Sequence, residues 1–195
     1  MVKIKILVQG YAREKNGAEF ASSTTTFIQD NKVNIVVDPG MDRKSLLKNL
    51  KKEGLSPDQI DYVVLTHCHL DHSLLTGIFV NAKVFDDSEI YSFDGKIEEH
   101  DRKIPGTSIK IFKTPGHEPF HCSVLVKTQK LGRVVIAGDV FWWADEEEQD
   151  IDRDSLLNHQ DPYFKDKEAL LRSRKKILEI ARYIIPGHGK MFRVG

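Results

Sequence analysis

Three imidazoles and one carboxylate stand within six residues of this chain. The segment His67-Cys68-His69-Leu70-Asp71-His72 has the pattern His-x-His-x-Asp-His. It follows the apolar run Tyr62–Leu65, which predicts a buried strand. A strand end that places several imidazoles and a carboxylate in one small volume suits one or two transition-metal ions. A cluster of solvated loop histidines is the less specific interpretation, and the rest of the chain argues against it.

Three later turns share this layout, in which a strand ends and a His or Asp follows. They are Thr114-Pro115-Gly116-His117, Gly138-Asp139 and Pro186-Gly187-His188. Gly and Pro beside each candidate ligand fit tight turns that let the backbone approach a crowded centre. We therefore predict two metal sites bridged by Asp139, one formed by His67, His69 and His117, the other by Asp71, His72 and His188. Such ligands favour zinc, with iron and manganese as alternatives.

The strand and helix patterns indicate how these turns are positioned. The first half predicts strands at 2–9, Ser23–Gln29, Val33–Val37, Asp61–Leu65 and Ala82–Phe85, with a helix at about Asp42–Glu53. The second half predicts strands at Ser108–Lys113, Cys122–Thr128, Arg133–Ala137 and Tyr183–Ile185, with a helix at about Asp166–Arg182. Two runs of strands with helices predict two sheets packed face to face and helices outside. We expect one domain over residues 1–195.

Composition narrows the range of partners. The 29 basic and 29 acidic residues give a net charge of zero, which signals neither a nucleic-acid nor a membrane partner. Two cysteines are too few for a disulfide framework, and no apolar stretch approaches membrane-spanning length. We expect a cytoplasmic protein that acts on a small molecule. A nucleic-acid substrate and the oligomeric state stay open, with a homodimer among the options.

The order of the candidate ligands resembles the binuclear hydrolases of the metallo-β-lactamase superfamily. Those enzymes carry HxHxDH, a later His, a bridging Asp and a terminal His, and each position is filled between residues 38 and 188. The resemblance implies an α/β fold, an αββα sandwich of two mixed sheets with helices on the outer faces and the metal centre at one sheet edge. Residues 135–141 and 173–194 resemble one branch of the superfamily in particular.

The same resemblance implies roles for two aspartates. Two metal ions would activate a water as the nucleophile. Asp71, as ligand and as acceptor of the water's proton, is implied to orient that nucleophile. Asp38 resembles the family's aspartate that fixes a ligand imidazole. An ordinary Asp-Pro turn is the competing interpretation of Asp38.

Several residues near the ligands have both a functional and a structural interpretation. His121 could donate a proton to a leaving group, and a half-exposed histidine at the start of a strand explains it equally well. Trp142 and Trp143 could wall a substrate pocket or form a subunit contact, with core packing as an equal alternative. The basic cluster Arg172–Lys176 favours a solvated helix face over a phosphate contact.

Differences from particular branches of the superfamily narrow the choice of reaction. Asp139 argues against the zinc β-lactamases, which lack this carboxylate, and the His-x-His pair argues against flavodiiron oxygen reductases. Trp142 stands where lactone-cleaving relatives typically place a tyrosine. The sequence predicts a hydrolase acting on an ester, thioester, lactone or phosphodiester. A metal-dependent endoribonuclease, suggested by the closer resemblance, and a mononuclear iron persulfide dioxygenase are the alternatives.

Overall fold

Two β-sheets, a separate hairpin and four α-helices make up residues 2–195, the part of the chain that the computed structural model describes. The strands are β1 (Lys3–Val8), β2 (Tyr11–Lys15), β3 (Ala18–Ser22), β4 (Thr25–Asp30), β5 (Val33–Val37), β6 (Tyr62–Val64), β7 (Lys83–Phe85), β8 (Glu89–Tyr91), β9 (Ile97–Glu99), β10 (Lys110–Lys113), β11 (Cys122–Thr128), β12 (Gly132–Gly138), β13 (Tyr183–Pro186) and β14 (Phe192–Arg193). The helices are α1 (Arg43–Lys52), α2 (Leu70–Ser73), α3 (Arg153–Asn158) and α4 (Lys167–Ile180). No helix in the described range is long and apolar enough to cross a bilayer.

The first sheet has the order β1-β4-β5-β6-β7-β8-β9 and the second has the order β10-β11-β12-β13-β14. Both sheets are mixed, because β5, β6 and β7 run parallel, as do β12 and β13, while the other pairs are antiparallel. One apolar core lies between the sheets and contains Ile28 and Val64 of the first sheet with Val124 and Ile136 of the second. The two sheets therefore pack face to face, as the strand pattern predicts.

Helices cover the outer face of each sheet. Leu46 and Leu50 of α1 are fully buried in a cluster with Val36 and Val63 of the first sheet. On the other side, Ile177 of α4 lies in a cluster with residues of β12 and β13. The amphipathic pattern of both helices makes this burial favourable. The layers are thus helix, sheet, sheet and helix, which confirms the predicted αββα sandwich.

The hairpin of β2 and β3 is the main element that the sequence analysis does not predict. Its two-residue turn is Asn16-Gly17, and both residues have positive φ, 54° and 75°. Asn-Gly is the preferred sequence for hairpin turns of this kind, so the signal was present. The flanking residues Tyr11–Lys15 alternate weakly and are largely exposed, which hides the strand pattern. Strands β8 and β9 are short and were missed for the same reason.

Helix α4 begins directly against the turn that carries His117. The backbone N–H groups of Lys165 and Asp166 donate to the carbonyl of Gly116, at 2.9 and 3.0 Å. A Cβ atom on Gly116 would overlap the backbone of Leu170, and its φ of +139° is rare for residues with a side chain. This position therefore requires glycine.

We predict that Gly116→Ala destabilises the protein by about 2–4 kcal/mol, because it combines backbone strain with overlap against α4. Thermal and denaturant unfolding would measure the loss. Gly77→Ala is the matched control, since Gly77 has open space where a Cβ would lie. Equal stability of the two variants would contradict the requirement for close approach.

Candidate metal centre

The first group of ligand atoms comes from the turns after β6, β10 and β12. His67 Nε2 lies 3.0 Å from His69 Nδ1, and His117 Nε2 lies 3.3 Å from the same His69 atom. Asp139 Oδ2 is 3.5 Å from His117 Nε2 and 3.9 Å from His67 Nε2. The structure therefore brings together the three histidines predicted for one site, with Asp139 beside them.

The second group adjoins the first on the other side of Asp139. His188, in the turn after β13, places Nε2 3.1 Å from Asp71 Oδ2. His72 Nε2 is 3.7 Å from the same Asp71 oxygen and 3.2 Å from Asp139 Oδ1. Asp139 Oδ2 also lies 3.8 Å from His188 Nε2. Its carboxylate thus approaches histidines of both groups, which is the position that the sequence analysis predicts for a bridging ligand.

These spacings fit a bound transition-metal ion. A tetrahedral ion with bonds of about 2.0 Å holds its ligand atoms about 3.3 Å apart, and the distances in both groups lie around that value. His72 Nε2 and Asp139 Oδ1 are buried and have no hydrogen-bond partner in the described chain. Buried polar atoms rarely stay unpaired, so their chemistry also suits a metal.

Each of the five imidazoles hydrogen-bonds through its other ring nitrogen to an acceptor outside the centre. A nitrogen facing an acceptor carries the proton of the neutral ring, which leaves the inward nitrogen with the lone pair that a metal needs. The outward pairs are His67 Nδ1 with Thr66 Oγ1 at 3.0 Å, His69 Nε2 with Glu118 Oε1 at 3.0 Å, His72 Nδ1 with Asp38 Oδ2 at 3.0 Å, His117 Nδ1 with Asp161 Oδ2 at 2.8 Å, and His188 Nδ1 with the Tyr11 carbonyl at 3.0 Å.

Asp38 fixes two of these imidazoles, one directly and one through Thr66. Besides accepting from His72, its carboxylate accepts from the Thr66 backbone N–H at 2.8 Å and from the Thr66 hydroxyl at 2.7 Å. Since that hydroxyl donates to Asp38, it accepts from His67 Nδ1. Asp38 also has a φ of 47°, an unfavourable backbone conformation for a residue with a side chain. The predicted orienting position of Asp38 therefore agrees with the geometry, while an ordinary Asp-Pro turn does not account for these contacts.

Two further acceptors were not identified from the sequence. Asp161 holds His117, and its side chain is fully buried. Glu118, the residue directly after His117, accepts a hydrogen bond from His69. Asp161 lies in a segment with no recognisable motif, so its role depends on how the loop folds over the centre. Glu118 could have been suggested by its position beside a predicted ligand.

Opposite charges balance one another inside the centre. Burial would raise the pKa of Asp139, but His72 and His188 outweigh it and hold that pKa well below its ordinary value. Burial would lower the pKa of His72, but Asp139 and Asp38 outweigh it and hold that pKa well above its ordinary value. The pKa of His67 is well below its ordinary value because of burial and the neighbouring His72 charge. Asp139 is therefore anionic and lies among ring nitrogens, and this arrangement attracts a cation.

Comparison with known proteins agrees with this geometry. The sequence model of the metallo-beta-lactamase superfamily matches residues 18–87. Metallo-beta-lactamase domain-containing protein 1 of Xenopus laevis is 32% identical over 98% of this chain and 81% of its own length. The chain belongs to the metallo-beta-lactamase superfamily. The mammalian proteins of the same name are longer, and the chain spans 59–63% of their length. They represent the branch that residues 135–141 and 173–194 resemble.

Other similarities place this superfamily member among hydrolases. A metallo-hydrolase of Methanocaldococcus jannaschii, named as probable, is 31% identical over 96% of this chain and 87% of its own length. A metallo-beta-lactamase-type protein of Thermotoga maritima has the same fold, with a TM-score of 0.76, 21% identity, and coverage of 98% of this chain and 99% of its own. The dizinc quorum-quenching lactonase AidC has a TM-score of 0.64, 18% identity, and coverage of 88% and 73%. The chain is thus a superfamily hydrolase with a candidate His/Asp metal site.

A cleft of about 440 Å³ opens onto the metal centre of this superfamily hydrolase. Trp142 lines it, with its ring centroid 6.2 Å from that of His188 and 5.7 Å from that of Tyr163. Phe20 and Arg13 of the hairpin line the opposite part of the wall. Of the three substrate-pocket candidates, Trp142 is therefore in the predicted place.

Neither His121 nor Trp143 takes the pocket role that is one of its two interpretations from the sequence. His121 is fully buried beneath His67, with ring centroids 5.0 Å apart, and it does not line the cleft. Burial and the neighbouring His117 lower the pKa of His121 to about 3, so it is an uncharged imidazole at neutral pH. Trp143 is 2% exposed and packs in the core against Phe192. Adjacent residues point in opposite directions here, so only Trp142 reaches the cleft.

We predict that Asp38→Asn lowers the affinity for metal about 10–100-fold, because one carboxylate orients both His72 and, through Thr66, His67. Competition with a chromophoric chelator would measure the affinity. Asp58→Asn is the control, since Asp58 is exposed and belongs to neither group of candidate ligands. Unchanged affinity in Asp38→Asn would show that the Asp38 contacts do not support the ligands.

Proposed function

We propose that this chain holds two zinc ions and hydrolyses a small carboxylic ester, thioester or lactone. The observation that carries the proposal is the position of Asp139 between two complete groups of ligand atoms. Bound there, a pair of zinc ions would lower the pKa of a shared water and polarise the oxygen under attack. The lactonase AidC, which has the same fold, is named as a dizinc enzyme, and this supports the choice of metal.

Asp71 is the residue best placed to handle the water's proton. Its side chain is 22% exposed and lines the cleft, whereas the side chain of Asp139 is 7% exposed. One oxygen of Asp71 faces His188 at 3.1 Å. The carboxylate can therefore accept a hydrogen bond from a water on the cleft side and orient it toward a substrate carbonyl.

The cleft favours an uncharged acyl compound over a polyanion. Phe20, Trp142 and Tyr163 supply an aromatic wall next to the metal centre. Apart from the histidines, Arg13 is the single basic side chain among the described residues that line the cleft, and Asp145 pairs with it at 3.1 Å. Acidic residues from both strands of the hairpin, Glu14 and Glu19, lie along the same wall. A phosphodiester chain would meet repulsion here, whereas an apolar acyl group would be stabilised.

The two alternative reactions receive less support from the geometry. An endoribonuclease needs a basic path for its substrate, and the cleft wall is neutral to acidic. A mononuclear iron dioxygenase needs only one group of ligands, which would leave the buried His72 Nε2 without a partner. Two adjacent metal ions account for both groups.

We predict about two zinc ions per chain and metal-dependent hydrolysis of a thioester, aryl ester or lactone in preference to a phosphodiester. Removal of metal should abolish turnover, and His69→Ala should lower kcat/KM at least about 100-fold because it removes a direct ligand. His100→Ala is the matched control, since His100 hydrogen-bonds the Asp86 carbonyl away from the centre. Elemental analysis and a substrate panel are the measurements.

Two results would replace this proposal. About one iron per chain together with oxygen uptake would favour the dioxygenase. RNA cleavage that survives purification and disappears in His69→Ala, without ester hydrolysis, would favour the endoribonuclease.

We also predict that Phe20→Ala raises KM for long-chain acyl substrates roughly 5–10-fold with little change in kcat, since it removes apolar contact and no group at the metal centre. Short-chain substrates should be affected less. Phe93→Ala is the control, because Phe93 is similarly exposed but lies between β8 and β9. An equal effect on all chain lengths would show that Phe20 does not contact the acyl group.

A further inference from the structure

Helix α4 contacts the turns of the metal centre through two neighbouring polar side chains. The hydroxyl of Ser173 donates to the carbonyl of Pro115 at 2.7 Å, two residues before His117. Arg174, the next residue, turns toward two other segments. Both side chains are buried, which contradicts the prediction that Arg172–Lys176 forms a solvated face. Arg172 and Lys175 are exposed as predicted.

The guanidinium of Arg174 binds backbone carbonyls on both sides of the centre. Its Nε donates to the Val140 carbonyl at 3.1 Å, and Val140 directly follows Asp139. Its Nη1 donates to the carbonyls of His159 at 2.7 Å and Leu157 at 3.4 Å. His159 lies two residues before Asp161, which holds His117. One side chain thus joins the Asp139 turn to the loop that delivers Asp161.

Arg174 is a buried cation whose hydrogen-bond partners are these backbone carbonyls. Its side chain is 3% exposed, and no carboxylate among residues 2–195 lies within ion-pair distance of it. Burial lowers the pKa of Arg174 to about 10, which still leaves it charged at neutral pH. A buried charge is costly unless it is hydrogen-bonded, and the three carbonyls are the partners of Nε and Nη1, while Nη2 has no partner among the described residues.

We propose that Arg174 is a positioning residue for the metal centre, which sets the distance between the Asp139 turn and the Asp161 loop. It acts through backbone carbonyls and contacts none of the candidate ligands directly. If the guanidinium is lost, Asp139 and the Asp161–His117 pair can shift relative to one another. The inference rests on the metal centre of the proposed function and is independent of the substrate.

The test compares loss of metal affinity with loss of stability in the chain of residues 1–195. Arg174→Met keeps the apolar stem and removes the donors to all three carbonyls, and we expect at least about a tenfold loss in Zn²⁺ affinity, measured by competition with a chromophoric chelator. Ile177→Ala is the matched control, because Ile177 is fully buried on the same helix and has an apolar side chain. It should lower the Tm of the metal-free protein but leave Zn²⁺ affinity within about twofold. Lys175→Met should change neither.

A second variant keeps the test decisive if Arg174→Met does not fold. Arg174→Lys retains the charge but loses the fork of donors, so it should lower Zn²⁺ affinity in the same direction by a smaller factor. Arg174 variants that lose Tm as Ile177→Ala does, yet bind Zn²⁺ like the wild type, would overturn the positioning role alone. A wild-type chain that binds no Zn²⁺ would overturn the proposed function as well.

Discussion

The hydrogen bond that each ligand imidazole makes away from the centre is the interaction on which this site depends. Five ring nitrogens converge within a few ångströms, and two such contacts measure 3.0 and 3.3 Å. To bind a metal, each inward nitrogen must present a lone pair, which requires that the ring proton go to the outward nitrogen. An outward acceptor therefore selects the tautomer and fixes the ring. Five segments supply these acceptors, so the metal centre exists only when both sheets and the hairpin have formed.

This requirement explains why most of the buried ionisable side chains lie at one edge of the sandwich. The space between the sheets is filled by residues such as Ile28, Val64 and Val124, which need no partners. At the edge, Asp38, Asp139 and Asp161 are almost fully buried. Each carboxylate is surrounded by donors there, and burial of an unpaired carboxylate would be far more costly than burial of an isoleucine. The apolar packing between the sheets thus stabilises the fold, and the polar residues at the edge form the candidate metal centre.

The candidate metal ligands could be predicted from sequence because each follows a strand in a tight turn, which is a local pattern. The two long helices, α1 and α4, and most strands followed from periodicity, which is also a local pattern, whereas the short helices α2 and α3 did not. Asp161 could not be predicted, since it meets His117 across 44 residues and its own loop has no motif. His121 was misassigned because its burial depends on stacking against His67 rather than on its own neighbours. Arg174 stands in a basic stretch that is typical of a solvated helix face. Its burial depends on the positions of the Val140 and His159 carbonyls, which the local sequence does not show.

The base of the β2–β3 hairpin contacts both the candidate metal centre and a segment beside the cleft. The carbonyl of Tyr11 holds His188, while the next residue, Ala12, accepts from the Asp145 N–H at 2.8 Å. The base is thus tied both to a candidate ligand and to the segment that follows Trp142. Phe20 and Glu14, farther along the hairpin, line the cleft without contacting a ligand imidazole. Changes toward the tip can therefore alter the wall of the cleft while the acceptor of His188 stays in place, whereas changes at Tyr11 affect the candidate metal centre and the cleft together.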